Sequence, residues 1–246
     1  MKNLLVVGDS QSAGYTETGS VKCYASYLAK KLGLRLINLS RPAVDNRYIK
    51  NTMINWLSKN SAELILFHLA PFTRKCFYFD STTKADITKC HSYPSFGDSL
   101  TANSGWYRSK GRSSLFNGHC PGDGVHTETF DSHFDYYFHN YFHTVDSYLE
   151  TLEILHHVQC YSQNKKLNLY FVVNNKYLFL DRHQEAQMYI EDLDLSKFIF
   201  YNGRNGFDEF TVENGYQASK HDYHANAQGH EHFSTLIMPV LFPANK

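Results

Sequence analysis

Two short segments near opposite ends of the chain carry residue types suited to nucleophilic catalysis. Gly8-Asp9-Ser10 follows the apolar run Leu4–Val7, which is typical of a strand buried on both faces. A serine in a tight turn after such a strand is held exposed together with its backbone N–H. That position suits a nucleophile that also helps to bind the oxyanion it creates. Taken alone, the tripeptide is equally typical of an ordinary turn.

The second segment contains Asp222 and His224, just before the last predicted helix. An Asp two residues before a His can accept a hydrogen bond from the imidazole Nδ1–H, which leaves Nε2 as a general base for a serine hydroxyl. The alternative is a loop with chance polar residues. In a doubly wound sheet, loops after the first and last strands both open at the carboxyl edge. We therefore predict that Ser10, His224 and Asp222 form a catalytic triad.

The order of apolar runs predicts the elements that position these residues. The predicted strands are 4–7, 34–39, 64–69, 167–173 and 197–201. Four helices are predicted. The first is capped by Thr18-Gly19-Ser20 and ends at Gly33, the second lies around 49–57, and the third runs from about 134 to 161. The last helix carries Phe233, Leu236, Ile237 and Val240 on one face. Strands alternating with helices favour parallel pairing. The predicted fold class is α/β, a flavodoxin-like three-layer doubly wound parallel sheet of about five strands.

The stretch 74–133 has no sustained periodicity and is rich in Ser, Thr, Gly, His and aromatic residues. It is too long for an ordinary loop, and it leaves the sheet after the third strand, on the side where such folds bind ligands. We therefore predict a single domain over 1–246, in which this irregular insert forms a lid or a substrate-binding subdomain. Trp106 and Tyr107 in the insert are expected to bind substrate, with core packing as the alternative.

In several sequence blocks the chain resembles the SGNH, or GDSL-like, hydrolases. The first block is matched by Gly8-Asp9-Ser10, and the last block, Asp-x-His followed by Asn and Gly-His, is matched by residues 222–230. The second block, an Asn-Leu-x-x-x-Gly-x-Ser-Asn pattern, corresponds to residues 38–46. The resemblance implies that Ala43 takes the position of the oxyanion-hole glycine and donates its backbone N–H beside that of Ser10. Asn46, which ends this stretch, is expected to contact the substrate.

The third family block usually reads Gly-x-Asn-Asp, and its Asn side chain donates to the oxyanion. The corresponding stretch here, 67–74, contains no Asn. Either His68 or Thr73 replaces that donor, or the oxyanion hole consists of backbone N–H groups. Loss of one such donor typically costs about 2.7–4 kcal/mol of transition-state stabilisation.

The resemblance implies a serine esterase that cleaves O-acetyl or short acyl esters on carbohydrates or small molecules, without a cofactor. Two alternatives stay open. One is a catalytically degraded scaffold that binds a glycan or a protein, which the missing third-block Asn suggests. The other is an acyltransferase that uses the same residues with a sugar as acceptor.

Composition and charge exclude several other classes. Lys+Arg and Asp+Glu both number 24, so the formal net charge is zero, and no nucleic-acid partner is expected.

The N-terminal apolar run is too short for a signal peptide, and no later run reaches the length of a membrane span. We therefore predict a cytoplasmic protein without a membrane partner. The five irregularly spaced cysteines are expected to be reduced.

The insert and its surroundings also hold several potential zinc ligands. They lack a CxxC pair and an HExxH motif, so scattered histidines and reduced cysteines are the expected state, and no metal is predicted. These residues are Cys76, Cys90, His91, His119, Cys120, His126 and His133.

Overall fold

The computed structural model describes residues 1–42, 44–72, 76–79, 105–108, 144–179, 184–220 and 222–242. For 76–79, 105–108, 144–145, 178 and 184–185 it describes the backbone alone. The predicted insert therefore lies outside the described residues except for two short strands, Cys76–Phe79 and Gly105–Arg108, which pair antiparallel.

A five-stranded parallel sheet forms the centre of the described structure. In chain order its strands are β1 (Asn3–Val7), β2 (Arg35–Asn38), β3 (Leu64–His68), β4 (Leu169–Val172) and β5 (Phe198–Ile199). Their spatial order is β2-β1-β3-β4-β5, with every neighbouring pair parallel. This is the flavodoxin-like order of a doubly wound sheet, so the predicted fold class is confirmed.

Helices cover both faces of this sheet. They are α1 (Ser10–Ala13), α2 (Tyr24–Leu32), α3 (Asn46–Leu57), α4 (Thr144–Asn164), α5 (Gln184–Glu191), α6 (Phe207–Glu213), α7 (Ala227–Leu236) and α8 (Met238–Leu241). Leu4 and Val6 of β1 pack with α2, α6 and α7, whereas Leu5 and Val7 pack with α3, α4 and α5. Because alternate residues of a strand face opposite sides, β1 contributes to both cores. No helix in the described ranges has the length and apolar character needed to cross a bilayer.

The segment before α2 differs from the prediction. Tyr15–Thr16 and Gly19–Ser20 form a two-stranded antiparallel ribbon, and α2 begins only at Tyr24. The predicted helix cap at Thr18-Gly19-Ser20 was therefore wrong. In the ribbon, Thr16 Oγ1 donates to the Gly19 carbonyl at 2.9 Å and Val21 N donates to the Gly14 carbonyl at 2.7 Å. These bonds satisfy the polar groups of the segment locally, so it does not extend the helix.

The last predicted helix is divided into two. α7 ends at Leu236 and α8 begins at Met238, with Pro239 in its first turn. Proline has no N–H to donate to the preceding turn, so it ends one helix and is tolerated at the start of the next. The predicted helix over 134–161 is described from Thr144 and continues to Asn164, and its expected start lies outside the described residues.

Candidate active site

A glycine and a helix cap shape the turn that carries Ser10. A Cβ added to Gly8 would stand only 2.7 Å from the Cβ of His68, so a larger residue would push the turn away from β3. Asp9 then caps α1, because its carboxylate accepts a hydrogen bond from Gln11 N at 3.1 Å. Ser10 is therefore the first residue of a short helix at the carboxyl edge of the sheet.

The carbonyl of Ser10 accepts a hydrogen bond from Gly14 N, but its hydroxyl and its backbone N–H make none with the described residues. Its N–H donates to no acceptor among the described residues, as is usual for the first residue of a helix. Its side chain is buried and likewise makes no hydrogen bond within the described part of the chain. A hydroxyl and a backbone donor thus lie at the same point, which is the combination that a nucleophile and an oxyanion hole require.

Asp222 and His224 form a hydrogen-bonded pair on the loop before α7. Their side chains meet at 2.6 Å between His224 Nδ1 and Asp222 Oδ1, and His224 N donates to the same oxygen at 3.0 Å. Asp222 Oδ2 accepts a further hydrogen bond from Glu17 N at 2.8 Å. The Asp222 side chain is 3% exposed and that of His224 is 23% exposed. The carboxylate is therefore enclosed, while the imidazole reaches the surface.

The surroundings of Asp222 favour its ionised form. Burial raises the pKa of the Asp222 carboxyl, but hydrogen bonds from the backbone N–H groups of Glu17 and His224 and from the His224 side chain outweigh burial. Together they hold that pKa below its ordinary value. An ionised carboxylate on Nδ1 fixes the imidazole tautomer that leaves Nε2 as the proton acceptor.

Gln11 connects the turn after β1 to the loop that carries His224. Its Nε2 donates to the Tyr223 carbonyl at 3.3 Å, and its Oε1 accepts from Ala225 N at 3.2 Å. The Tyr15 ring also meets the His224 imidazole edge to face, with ring centroids 5.4 Å apart. Two segments from opposite ends of the chain therefore meet at one edge of the sheet.

The Ser10 hydroxyl and the His224 imidazole are not hydrogen-bonded to each other in the described structure. Catalytic hydrogen bonds are often long or poorly aligned before substrate binds. Gln11 adjoins Ser10 in sequence and is bonded to both neighbours of His224. The two side chains therefore lie on adjoining segments of backbone.

Two other predicted site residues are engaged in the core. The fully buried ring of His68 has Nδ1 at 3.1 Å from Tyr24 Oη and Nε2 at 3.3 Å from Asn174 Oδ1. Asn46 donates through Nδ2 to the Ala70 carbonyl at 3.0 Å and accepts from Ala70 N at 2.9 Å. Both residues connect elements of the fold: His68 joins β3 to α2, and Asn46 joins α3 to the segment after β3.

Several predicted site residues fall outside what the structure describes. Ala43, assigned to the oxyanion hole, and Thr73, the alternative donor, lie outside the described residues. Trp106 and Tyr107 belong to the short strand Gly105–Arg108, of which only the backbone is described. Their roles stay predictions.

Sequence reasoning missed three polar residues that adjoin the site, namely Gln11, Asn174 and Asp208. Asp208, in the first turn of α6, accepts hydrogen bonds from Gln11 Nε2 and from Asn174 Nδ2, both at 3.0 Å. No spacing pattern joins residues so far apart in the chain. The position of Gln11 directly after Ser10 was the one available signal.

A second histidine of the last block, His230, lies buried on the α2 side of the sheet. Its ring stacks on Tyr24 and Phe207, and neither ring nitrogen has a hydrogen-bond partner among the residues that the structure describes. Burial, with the nearby charges of His68 and His224, lowers the pKa of His230 to about 3. The imidazole is therefore neutral at physiological pH.

A cavity of about 390 Å³ opens beside the second block, between β2 and α3. Its end at Arg41 adjoins the Ser10 turn, because Arg41 N donates to the Gly8 carbonyl at 3.0 Å, whereas its other end lies beside the last turn of α3. An indole, several carboxamides and two cationic side chains surround it. This lining suits a polar ligand. The lining residues are Asn38, Leu39, Ser40, Arg41, Thr52, Asn55, Trp56, Lys59 and Asn60.

Among the residues that the structure describes, no group of three or more His, Cys, Asp or Glu side chains is arranged to hold a metal ion. The potential zinc ligands of the insert lie outside the described side chains.

No protein-family model matches the chain, and no curated protein matches it in sequence. Solved structures with a similar fold share little sequence with it. TesA is 11% identical, with a TM-score of 0.47 over 98% of this chain and 99% of TesA. An acetyl xylan esterase from the rumen bacterium Butyrivibrio proteoclasticus is 13% identical, with a TM-score of 0.42 over 96% of this chain and 62% of that protein. A carbohydrate esterase family 2 enzyme from Corynascus thermopiles is 10% identical, with a TM-score of 0.41 over 98% of this chain and 65% of that protein.

Proposed function

We propose that the protein is a serine hydrolase that cleaves carboxylic esters. Ser10 is the nucleophile, His224 the general base and Asp222 the residue that orients the imidazole. One observation carries the proposal: the Asp222–His224 pair, joined at 2.6 Å, lies on a loop that Gln11 ties to the helix beginning at Ser10. The resemblance of these segments to the SGNH hydrolases supports the same roles.

In the proposed reaction, Ser10 Oγ attacks the ester carbonyl carbon as His224 Nε2 takes the hydroxyl proton. Asp222 stabilises the imidazolium through Nδ1–H. The Ser10 N–H, which has no acceptor among the described residues, donates to the oxyanion together with the N–H of Ala43. The tetrahedral intermediate expels the alcohol, which takes the proton from His224. Water then attacks the acyl-enzyme, with His224 again as base, and the second tetrahedral intermediate releases the acid as His224 returns the proton to Ser10 Oγ.

The proposed substrates are O-acetyl or short acyl esters of carbohydrates or small polar molecules. The end of the cavity nearest the Ser10 turn supports a polar alcohol portion, because Ser40 and Arg41 line it with hydrogen-bonding groups and Arg41 N donates to the Gly8 carbonyl. The insert at 74–133 is proposed to complete the substrate site.

Hydrolysis of p-nitrophenyl acetate tests the proposal. We expect Ser10→Ala to abolish turnover above the background rate. The matched control is Ser12→Ala, because Ser12 lies in the same helix and its hydroxyl donates to the Asp9 carbonyl at 3.2 Å, away from the proposed chemistry. A fluorophosphonate probe should label the wild-type chain on Ser10. Equal hydrolysis by wild type and Ser10→Ala would end the assignment.

A second candidate is a binding module that retains the scaffold without turnover. It is favoured by the lack of an Asn in the third block and by the partners on both ring nitrogens of His68, which leave Thr73 or backbone groups as the proposed oxyanion donors. Failure of the probe to label Ser10, combined with tight glycan or protein binding, would favour this function. Acyl transfer by the same residues is distinguished by analysing products with and without a sugar acceptor.

A further inference from the structure

The Gln11 carboxamide makes hydrogen bonds with both of its ends. Its Oε1 accepts from Ala225 N at 3.2 Å, and its Nε2 donates both to the Tyr223 carbonyl at 3.3 Å and to Asp208 Oδ1 at 3.0 Å. The side chain is buried, with 4% of its surface exposed. One carboxamide thus connects the helix that begins at Ser10 to the two residues that flank His224.

Asp208 acts with the Tyr223 carbonyl and the Ala225 N–H to determine which way the Gln11 carboxamide faces. An ionised carboxylate only accepts hydrogen bonds, so the amide nitrogen must face Asp208 and the amide oxygen must face Ala225 N. The reverse orientation would set an oxygen against the carboxylate and against the Tyr223 carbonyl, and would set an NH2 group against the Ala225 N–H. Asp208 therefore reinforces the one orientation in which all three bonds form, the orientation that the backbone of Tyr223 and Ala225 also favours.

The other oxygen of Asp208 is held by a chain of bonds that runs into the core. Asn174 Nδ2 donates to Asp208 Oδ2, so Asn174 Oδ1 faces His68 and accepts a hydrogen bond from its Nε2–H. His68 Nδ1 is then the acceptor for Tyr24 Oη. Burial, with Cys23 and Asp9 nearby, raises the pKa of Tyr24 well above its ordinary value, so the phenol keeps the proton it donates. The carboxylate is thereby fixed against β3 and α2.

We propose that Gln11 and Asp208 are positioning residues for the general base: Asp208 orients the Gln11 carboxamide, and Gln11 holds the backbone on both sides of His224 against the helix that carries Ser10. This inference rests on the proposed esterase function. It adds two residues to the machinery that neither touch the reacting atoms nor belong to the triad.

The expected consequence follows from where the bonds lie. A displacement of about 1 Å in a catalytic group can cost on the order of 10²-fold in rate. Removing the Gln11 bonds frees the backbone on either side of His224, whereas Asp222 still holds the imidazole tautomer. We therefore expect kcat to fall on the order of 10²-fold in Gln11→Met, with little change in KM. The apolar methionine is of similar length and keeps the packing.

A charge exchange distinguishes positioning from simple packing. Gln11→Glu places a carboxylate against Asp208 and should lower kcat at least as far as Gln11→Met. Adding Asp208→Asn to that variant supplies an amide that can donate to the new carboxylate, while Ala225 N still donates to its other oxygen. We expect the double variant to recover kcat relative to Gln11→Glu alone. Failure to recover any activity, in a protein that folds, would contradict the proposed orientation.

The control and an activity-independent measurement complete the test. Gln228→Met, on the exposed face of the first turn of α7, should keep wild-type kinetics. Amide hydrogen exchange at Ala225 should accelerate in Gln11→Met and stay slow in Gln228→Met. Wild-type kcat or unchanged Ala225 exchange in Gln11→Met would overturn the positioning role. If Ser10→Ala hydrolysed p-nitrophenyl acetate as fast as wild type, the esterase function itself would fail, and this outcome is separate from the Gln11 result.

Discussion

At the scale of single residues, the enclosed carboxylate of Asp222 is held ionised by the hydrogen bonds that it accepts. Its pKa lies below the ordinary value because the hydrogen bonds from Glu17 and His224 outweigh burial. The carboxylate therefore persists as the pH falls below the ordinary range of an Asp side chain. Its contribution to stability is present above the unfolded-state pKa and is lost as the pH falls through the lowered folded-state value.

We expect Asp222→Asn to lower kcat by roughly 10³- to 10⁴-fold, because the neutral amide no longer fixes the imidazole tautomer or stabilises its charge. The measurement is p-nitrophenyl acetate hydrolysis at pH 7 to 8. Asp192→Asn, on an exposed side chain, should match wild type. A loss below tenfold in Asp222→Asn would argue against the triad.

The Tyr223 ring is 64% exposed and lies between the two members of the acid–base pair. A large aromatic ring left exposed beside a proposed catalytic base is suited to stacking on a substrate. Tyr223→Ala removes the ring but keeps the backbone carbonyl that accepts from Gln11. We expect KM for an acetylated sugar to rise about fivefold, the equivalent of roughly 1 kcal/mol of stacking, with kcat nearly unchanged. Tyr27→Ala, on α2, is the control, and an unchanged KM for Tyr223→Ala would contradict the stacking role.

The proposed triad residues could be picked out from the sequence because their chemistry depends on local spacing: a serine just after a strand, and an Asp two residues before a His. Gln11 and Asp208 escaped prediction for the opposite reason. Their hydrogen bond joins residues 197 positions apart, and neither residue belongs to a motif. His68 was predicted as an oxyanion donor from its place at the end of β3, yet its partners Tyr24 and Asn174 are set by tertiary packing.

At the scale of elements, the turn from β1 into α1 depends on close approach of backbone segments. Gly8 has no Cβ, and an added one would meet His68 Cβ at 2.7 Å as well as the Ser12 hydroxyl. His68 belongs to β3 and is fully buried, so it has little room to move. The glycine of the first block is therefore required by packing and not by an unusual backbone angle.

We expect Gly8→Ala to lower the free energy of unfolding by about 1–3 kcal/mol, the usual cost of overpacking, and to displace the Ser10 turn. Urea unfolding measures the first effect and p-nitrophenyl acetate hydrolysis the second. Gly33→Asn is the control, because a Cβ there meets no atom within 4 Å and Asn tolerates its φ of 64°. A Gly8→Ala variant as stable as wild type would refute the packing argument.

The strands were predictable because runs buried on both faces are continuous in sequence, as in Leu64–His68. The helix caps were less predictable. Thr18-Gly19-Ser20 has the composition of a cap, but antiparallel pairing with the nearby Tyr15 and Thr16 places Gly19 and Ser20 in a ribbon. The prediction of one continuous last helix did not take Pro239 into account. In both cases a local signal was outweighed by a backbone hydrogen-bond requirement.

At the scale of the whole molecule, two hydrophobic cores on opposite faces of the sheet support one polar edge. The core on the α2 side contains an unusual member, His230, whose ring nitrogens have no partner within the described structure. A buried imidazole without a partner destabilises the fold when it must take up a proton. The titratable groups that adjoin it are Tyr24 on α2, His68 on β3 and His224 on the loop before α7.

The sign of the pH effect follows from this burial. Because the pKa of His230 falls from 6.5 to about 3 on folding, the unfolded chain binds a proton between these values and the folded chain does not. Stability must therefore fall as the pH drops through this window, by about 1.4 kcal/mol per pH unit. For this residue alone, we expect a loss of roughly 2 kcal/mol between pH 7 and pH 5.

His230→Phe should remove that loss. The phenyl ring can stack on Tyr24 and Phe207 as the imidazole does. Any change in packing energy is the same at both pH values, so it cancels when the stability of one variant at pH 7 is compared with its stability at pH 5. Urea unfolding at pH 7 and pH 5 should give a decrease in stability that is about 2 kcal/mol smaller in His230→Phe than in wild type. His157→Gln, at an exposed position of α4, should keep the wild-type decrease. If His230→Phe loses as much stability as wild type, His230 takes up its proton in the folded state, and the acid sensitivity of the fold originates elsewhere.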